Sequence, residues 1–248
     1  MNTAPPLMSL RGIGKSFGSR SVLRGVDLDL SGGECLGLVG DNGAGKSTMT
    51  KVMSGAYLPD EGSILLDGQP VLLAGPADAR TRRIEMVYQE LSLCDTVDVA
   101  GNLFLGREIT RAGFLDRRRM AAEGRGMLDA LGIRIPSMTA KVAQLSGGQR
   151  QSIAIARAAS FDPRVLLLDE PTSALAVAEV EAVLALINRV KATGVAVVLI
   201  THRLQDLFRV CDRIAFMYEG TKVAERQIGD TNLEEIVSLI VGGAGAAH

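Results

Sequence analysis

The sequence has no tryptophan, and aromatic residues make up only 4% of it. Any core must be filled by aliphatic side chains, which the 47% hydrophobic fraction of this 248-residue chain supplies in quantity. That length suits one large domain, or one domain carrying an insertion. There is no excess of charge of either sign: 27 basic and 28 acidic residues leave a net charge of -1. A chain without a global positive field has no general attraction for nucleic acid, and a phosphate site must be built locally. The three cysteines, Cys35, Cys94 and Cys211, are odd in number and show no Cys-x-x-Cys spacing, so they read as reduced thiols. No apolar run reaches the ~18 residues of a membrane span. Met1 to Pro6 lacks the charged-then-apolar pattern of a signal peptide. For work at a membrane, another chain would have to supply the spans.

What is present is a recurring unit: a short apolar run, a polar or glycine-rich turn, then a helical pattern. Cys35 to Val39 leads into a glycine loop, Ile84 to Tyr88 into Gln89, Val165 to Leu168 into Asp169-Glu170, and Val195 to Ile200 into Thr201-His202. Such runs read as buried strands of a mostly parallel sheet, and their alternation with helices predicts an α/β fold. In open α/β sheets ligands bind beyond the carboxyl ends of the strands, where all four runs place polar residues. Val180, Val183, Leu184 and Ile187 form one helical stripe. Leu23 to Leu30 alternates as a half-exposed antiparallel strand, and Ile64 to Leu66 before Asp67-Gly68 reads as a hairpin. The stretch from about Leu91 to Ser160 lacks long β-branched runs and reads as a helical insertion. Its Arg117-Arg118-Arg119 is a solvated face or a docking surface. The segment from Asn232 is helical and gives way to Gly242-Gly243-Ala244-Gly245, where fraying is expected.

Gly40-Asp41-Asn42-Gly43-Ala44-Gly45-Lys46-Ser47-Thr48 satisfies G-x-x-x-x-G-K-[ST]. Glycines let backbone N–H groups curl round phosphate oxygens, a helix starting near Lys46 aims its positive end at them, Lys46 adds a full charge, and Ser47 offers a hydroxyl to Mg²⁺. A strand before the loop and a helix after it give this motif its context. Leu166-Leu167-Leu168-Asp169-Glu170 ends a buried strand with two carboxylates whose side chains should point to opposite sides. Asp169 suits the Mg²⁺ shell and Glu170 the polarising of an attacking water; the minority reading of such a pair alone is a cap for the next helix. Leu145-Ser146-Gly147-Gly148-Gln149 precedes an Ala/Ile-rich helix with Ser146 as candidate N-cap. Its paired glycines fit a close-approaching anion as well as an ordinary flexible helix start.

Together these residues resemble the nucleotide-binding subunit of ABC transporters, over about 7–241. The resemblance implies a P-loop NTPase core at 7–89 and 161–228, a small antiparallel β subdomain, a helical subdomain at 90–160, and a flexible tail at 242–248. It implies ATP and Mg²⁺ as ligands. Phe17 would stack on adenine with Val22 beside the base, and Gly40 to Thr48 would hold the phosphates. Ser47, Gln89 and Asp169 would hold the metal. Glu170 would be the catalytic base, His202 would contact the γ-phosphate, and Gln89 would report to a membrane subunit. Ser146, Gly147, Gly148 and Gln149 would close over the nucleotide of a second copy in a head-to-tail dimer. The expected partners are that copy, integral membrane permease subunits and, indirectly, a solute-binding protein. The expected location is the cytoplasmic face of the inner membrane.

Gln89-Glu90-Leu91-Ser92-Leu93, Asn102 to Glu108, Thr201-His202-Arg203-Leu204 and Leu239 to Gly242 look like the ATPases of bacterial monosaccharide-uptake systems, in single-copy form. Two positions depart from pattern: Ala176 stands where the wider family usually has Asp, and Gly101 where the sugar group commonly has Glu. Two other readings are an exporter subunit, which the core motifs do not separate from an importer, and a soluble ABC ATPase acting on nucleic acid or ribosomes. Against the second stand the neutral charge and the short stretch between Lys46 and Ser146, which has no room for a long coiled coil.

Overall fold

The structure, a computed structural model, describes residues 5–242. In chain order, β1 (Met8–Phe17) and β2 (Arg20–Leu30) form an antiparallel pair. β3 (Cys35–Val39) leads through the glycine loop into α1 (Lys46–Met53). A hairpin of β4 (Glu61–Leu66) and β5 (Gln69–Val71) is followed by α2 (Pro76–Thr81) and β6 (Ile84–Val87). Then come α3 (Val99–Leu103), β7 (Thr110–Arg111), β8 (Phe114–Leu115), α4 (Arg117–Ala130) and α5 (Gly147–Ala159). The chain ends with β9 (Val165–Asp169), α6 (Val177–Ala192), β10 (Ala196–Ile200), α7 (Leu204–Val210), β11 (Arg213–Tyr218), β12 (Thr221–Gln227) and α8 (Leu233–Gly242).

The larger sheet runs β12-β11-β3-β10-β9-β6, parallel throughout except for the β11–β12 pair. The four apolar runs are thus four adjacent parallel strands, and the α/β expectation holds. β3, β9 and β10 are buried at every position because both sheet faces are covered. The period of two sorts their side chains. Cys35, Val39, Leu166, Leu168, Val197 and Leu199 enter one core with α5, α6 and α7. Leu36, Leu38, Val165, Leu167 and Val198 enter another with α1 and the small sheet. That small sheet, of order β2-β1-β4-β5, is the antiparallel piece expected before the core. The predicted stripe of α6 is buried.

The inserted stretch is not wholly helical. β7 and β8 form a hairpin inside it, turning at Ala112 and Gly113, both at positive φ (54° and 83°). Two successive positive φ values make the tight turn whose twist matches paired strands, a geometry seldom encoded by alanine. β11 and β12 form a further hairpin that the sequence reading does not single out, turning at Glu219-Gly220. Of the tail expected at 242–248, Gly242 is the last residue of α8 and residues 243–248 lie outside the described residues. Among the described residues no helix is long and apolar enough to cross a membrane. The three cysteines are free, with the Sγ atoms of Cys35 and Cys211 3.6 Å apart in the core.

Candidate nucleotide site

Sheet order builds the site. β3, β10, β9 and β6 are neighbours, so the glycine loop, His202, Glu170 and Gln89 emerge in a row from one sheet edge. At ~4.8 Å per strand interval, four adjacent strand ends span about 15 Å. A cleft of about 600 Å³ opens there. Phe17, Arg20 and Val22 wall one side. Asn42, Gly43, Gly45, Lys46, Ser47 and Thr48 form the floor, and Gln89, Glu170 and His202 close the other side. Gly40 and Asp41 face an adjoining pocket shared with His202, and Ala44 is buried.

The loop is shaped for an anion. Gly45, at φ 100°, is the N-cap of α1, and a Cβ there would stand 2.8 Å from Leu23 Cδ2. No side chain caps α1 and its first turn holds no acidic residue, so its leading N–H groups stay available to a ligand. Lys46 is buried to 6% exposure and its Nζ donates to the carbonyl oxygens of Gly40 (2.6 Å) and Asp41 (2.9 Å). Burial pushes its pKa down, against the charges of Glu170, Asp41 and Asp169. An incoming phosphate would add to these charges in favouring the ammonium.

The two carboxylates part company at the end of β9. Asp169 is the last strand residue, buried to 8% exposure, and its Oδ1 accepts from Ser47 Oγ at 3.5 Å. Burial raises its pKa, opposed by the Ser47 hydroxyl and the charges of Lys51, Lys46 and His202. Glu170 lies just beyond the strand with φ 54°, its N–H donating to Ile200 O at 2.9 Å. This left-handed turn, rather than strand alternation, swings the Glu170 carboxylate into the cleft. His202 Nε2 meets its Oε1 at 2.5 Å. Among the described residues no cluster of three or more His, Cys, Asp or Glu could hold a metal alone. Ser47 Oγ and Asp169 Oδ1, side by side, are oxygen donors of the kind that Mg²⁺ in phosphoryl transfer would take, its shell being completed by water and substrate phosphates.

On the far wall Phe17 is 44% exposed and packs edge-on to Tyr57, centroid to centroid 5.1 Å, with Lys15 Nζ 5.6 Å from its ring. Tyr57 and Arg20 escape the sequence reading because neither falls in a spaced motif. Arg20 is detectable only as the first residue after the Gly18-Ser19 turn. Gly220, the tip of the missed hairpin, buttresses the loop: its N–H donates to Ala44 O and its carbonyl accepts from Arg24 N–H.

Ser146, Gly147, Gly148 and Gln149 do not reach this cleft. They begin α5, with Ser146 as N-cap and Gln149 returning its carbonyl to the Ser146 N–H. Gly147 faces a second cleft of about 700 Å³ that also touches Gln89 and Leu175. The segment after Gln89 is tied down twice. Fully buried Asn102 bonds Cys94 N–H and the carbonyls of Cys94, Val97 and Asp98. Arg157, from α5, donates to the carbonyls of Leu91 and Ser92.

Residues 23–173 match the ABC transporter family. The chain is 42% identical to a xylose/arabinose import ATP-binding protein of Sulfolobus acidocaldarius, covering 96% of this chain and 95% of that one. It is also 42% identical to a fructose import ATP-binding protein of Rhizobium meliloti, covering 96% and 94%. A ribose import ATP-binding protein of Chromobacterium violaceum matches at 42% over 95% of this chain, which spans only 47% of that longer protein. The fold is similar to a nucleotide-free ATP-binding cassette from an ABC transporter, with TM-score 0.83, 22% identity and 98% of each chain covered. It is also similar to a dimeric cassette in a post-hydrolysis state bound to ADP and Pi, with TM-score 0.75, 26% identity, and 89% of this chain and 98% of that one covered. The chain belongs to the ABC transporter family.

Proposed function

We propose that this chain is the ATP-hydrolysing subunit of an ABC importer for a monosaccharide, acting as a head-to-tail pair on separate membrane-spanning permease subunits at the cytoplasmic face. The sugar assignment rests on the relatives named for xylose/arabinose and fructose import, which match over almost their whole length. The pairing rests above all on one observation. Gly147 at the start of α5 lines not the cleft that gathers Lys46, Glu170 and His202 but a second cleft that meets it at Gln89, which supports reading each subunit as most of one site and a wall for another.

In this reading Phe17 and Val22 hold the adenine, while Gly40 to Thr48 and the start of α1 hold the phosphates. Ser47, Asp169 and Gln89 are the residues that would hold Mg²⁺, which when bound spreads the charge of the phosphate oxygens. Lys46 meets the terminal phosphates with its buried charge. Glu170 takes a proton from the attacking water as that oxygen bonds to the γ-phosphorus and ADP leaves, and His202 contacts the γ-phosphate and orients the Glu170 carboxylate. Ser146 to Gln149 of the second copy complete the site. Residues 90–160 form the part that addresses the permease through the Gln89 segment, and a solute-binding protein acts one step further out.

Glu170→Gln tests this directly. Hydrolysis is expected to fall by ~10²–10⁴ while ATP drives the variant into a dimer visible by light scattering. Near-normal turnover would remove Glu170 as base, and a chain that stays monomeric with saturating Mg-ATP would overturn the paired site.

A further inference from the structure

Glu179 belongs to no motif described above. It is the third residue of α6, and its carboxylate spans the starts of two helices. Oε2 accepts from the Ala176 N–H at 3.2 Å, and Oε1 accepts from the Gly148 N–H at 3.0 Å. The contact involves the whole side chain. A Cβ on Gly148 would stand 2.6 Å from Glu179 Cβ and 2.7 Å from its Cγ, so only glycine lets the stem of Glu179 lie against the backbone of α5. The Ser146 hydroxyl first, then the Gly148 and Ala176 N–H groups, hold the Glu179 carboxyl below the usual carboxylate range. The group is therefore an anion at neutral pH, set at the positive ends of α5 and α6 together.

Ala176 gives this contact its importance. Of the two reciprocal bonds of a capping box, Ala176 has no side-chain oxygen to make the one to the Glu179 N–H, so only the return bond from the Ala176 N–H to Glu179 is left. Glu179 supplies the acceptor for the Ala176 N–H and commits its other oxygen to a different helix. Leu175 lies beside it, its Cδ2 only 3.3 Å from where a Cβ on Gly147 would stand. One carboxylate therefore joins the Ala176 N–H to the start of α5, beside the packing of α5 on α6.

We propose that Glu179 is a positioning residue that holds the Ser173–Ala176 segment to the start of α5, whose Gly147 shares the second cleft with Ser173, Ala174 and Leu175, so that this wall meets the second copy as one body. This rests on the reading of Ser146 to Gln149 as the wall of a second copy's site. It gives one of the paired glycines a reason besides phosphate approach: Gly148 is where Glu179 must fit.

The test uses the full chain, with Mg-ATP as the ligand. In a Glu170→Gln background, Glu179→Ala is expected to raise the ATP concentration for half-maximal dimerisation at least tenfold. In the otherwise unchanged chain it is expected to lower kcat at least tenfold. Glu179→Gln keeps the length and a carbonyl acceptor and is expected to recover most of both. Glu179→Asp, one methylene shorter, does not span the two helices and is expected to behave like Glu179→Ala. A merely structural role would lower the melting temperature in all three without this ordering. If Glu179→Ala pairs and hydrolyses within twofold of its parent, or pairs more readily because a competing anion is gone, the proposal is overturned. Should Glu179→Ala not fold, equal behaviour of the Gln and Asp variants overturns it. Ser146→Arg separates the two readings. If it pairs normally, the second-copy wall itself fails; if it abolishes pairing while Glu179→Ala does not, only the role of Glu179 falls.

Discussion

His202 Nε2 stands 2.5 Å from Glu170 Oε1, across the ends of the adjacent strands β10 and β9. Glu170 is held there by a positive φ of 54°, which non-glycine residues adopt at a cost of about 1 kcal/mol or more. Strain of this kind persists where the surroundings over-determine a side chain's direction. Loss of the imidazole in His202→Ala should let the carboxylate wander. The expected result is a fall in kcat of ~10² with equilibrium nucleotide affinity unchanged, read from steady-state hydrolysis beside a binding titration. An unaltered kcat would make the contact incidental.

Lys46 carries its charge in a buried place where burial lowers its pKa from 10.5. The sign follows. A base with a lowered folded pKa destabilises the fold at neutral pH, and the penalty disappears as pH rises through the folded pKa toward 10.5. Lys46→Met removes that penalty, so the variant without nucleotide should melt within a few degrees of the parent and lose the alkaline part of its pH dependence. It should also lose stabilisation by Mg-ATP, about 2.7 kcal/mol for a ligand at 100 times its Kd. Thermal melts with and without nucleotide decide the matter; undiminished stabilisation by ATP would exclude a phosphate role for Lys46.

Asp169 has the opposite sense, its pKa raised from 3.8 chiefly by burial. An acid with a raised folded pKa loses stability as pH climbs from its ordinary value through the folded one, and the whole penalty is in place above that. Asp169→Asn should flatten this acid-side slope in denaturation measured across pH, while hydrolysis is abolished. A variant that hydrolyses ATP at the parental rate would argue against a metal-holding role.

Phe17 is the exposed aromatic of the cleft, backed by Tyr57. Stacking of a base on an aromatic ring is worth ~1–3 kcal/mol by alanine substitution. Phe17→Ala should therefore raise KM for ATP by roughly 5- to 150-fold with little change in kcat. Competition by ADP and by inorganic triphosphate provides the check. Equal losses for both would mean that Phe17 acts on the loop rather than on the base.

Much of the candidate site is legible in the sequence because its chemistry is local. Gly40 to Thr48 is contiguous, so loop, helix start and lysine are specified within one short stretch, and α1 begins at Lys46 as its composition predicts. The apolar runs of β3, β9 and β10 have no other stable place than a covered sheet, which puts their polar ends at one edge. Ser146 is the N-cap expected of it. Legibility failed where a residue's role comes from a distant partner. Tyr57 has no spacing to mark it. The turn at Ala112-Gly113 uses a residue that rarely adopts its conformation. Glu179 looks like an ordinary first-turn glutamate, and its meaning lies in the backbone of Gly148, far away in sequence.

The sequence by itself determined the α/β class, the glycine loop before α1, the Asp169-Glu170 pair at a strand end, the helix cap at Ser146 and the likeness to ABC transporters. Each depends on short-range backbone geometry or on hydrophobic period, which neighbouring residues dictate. Only the tertiary structure decided the order β3-β10-β9-β6, which brings His202 to Glu170. It alone separated the start of α5 from the cleft and joined it to Glu179. Strand order and side-chain meetings arise from long-range packing, and no local run of residues carries them.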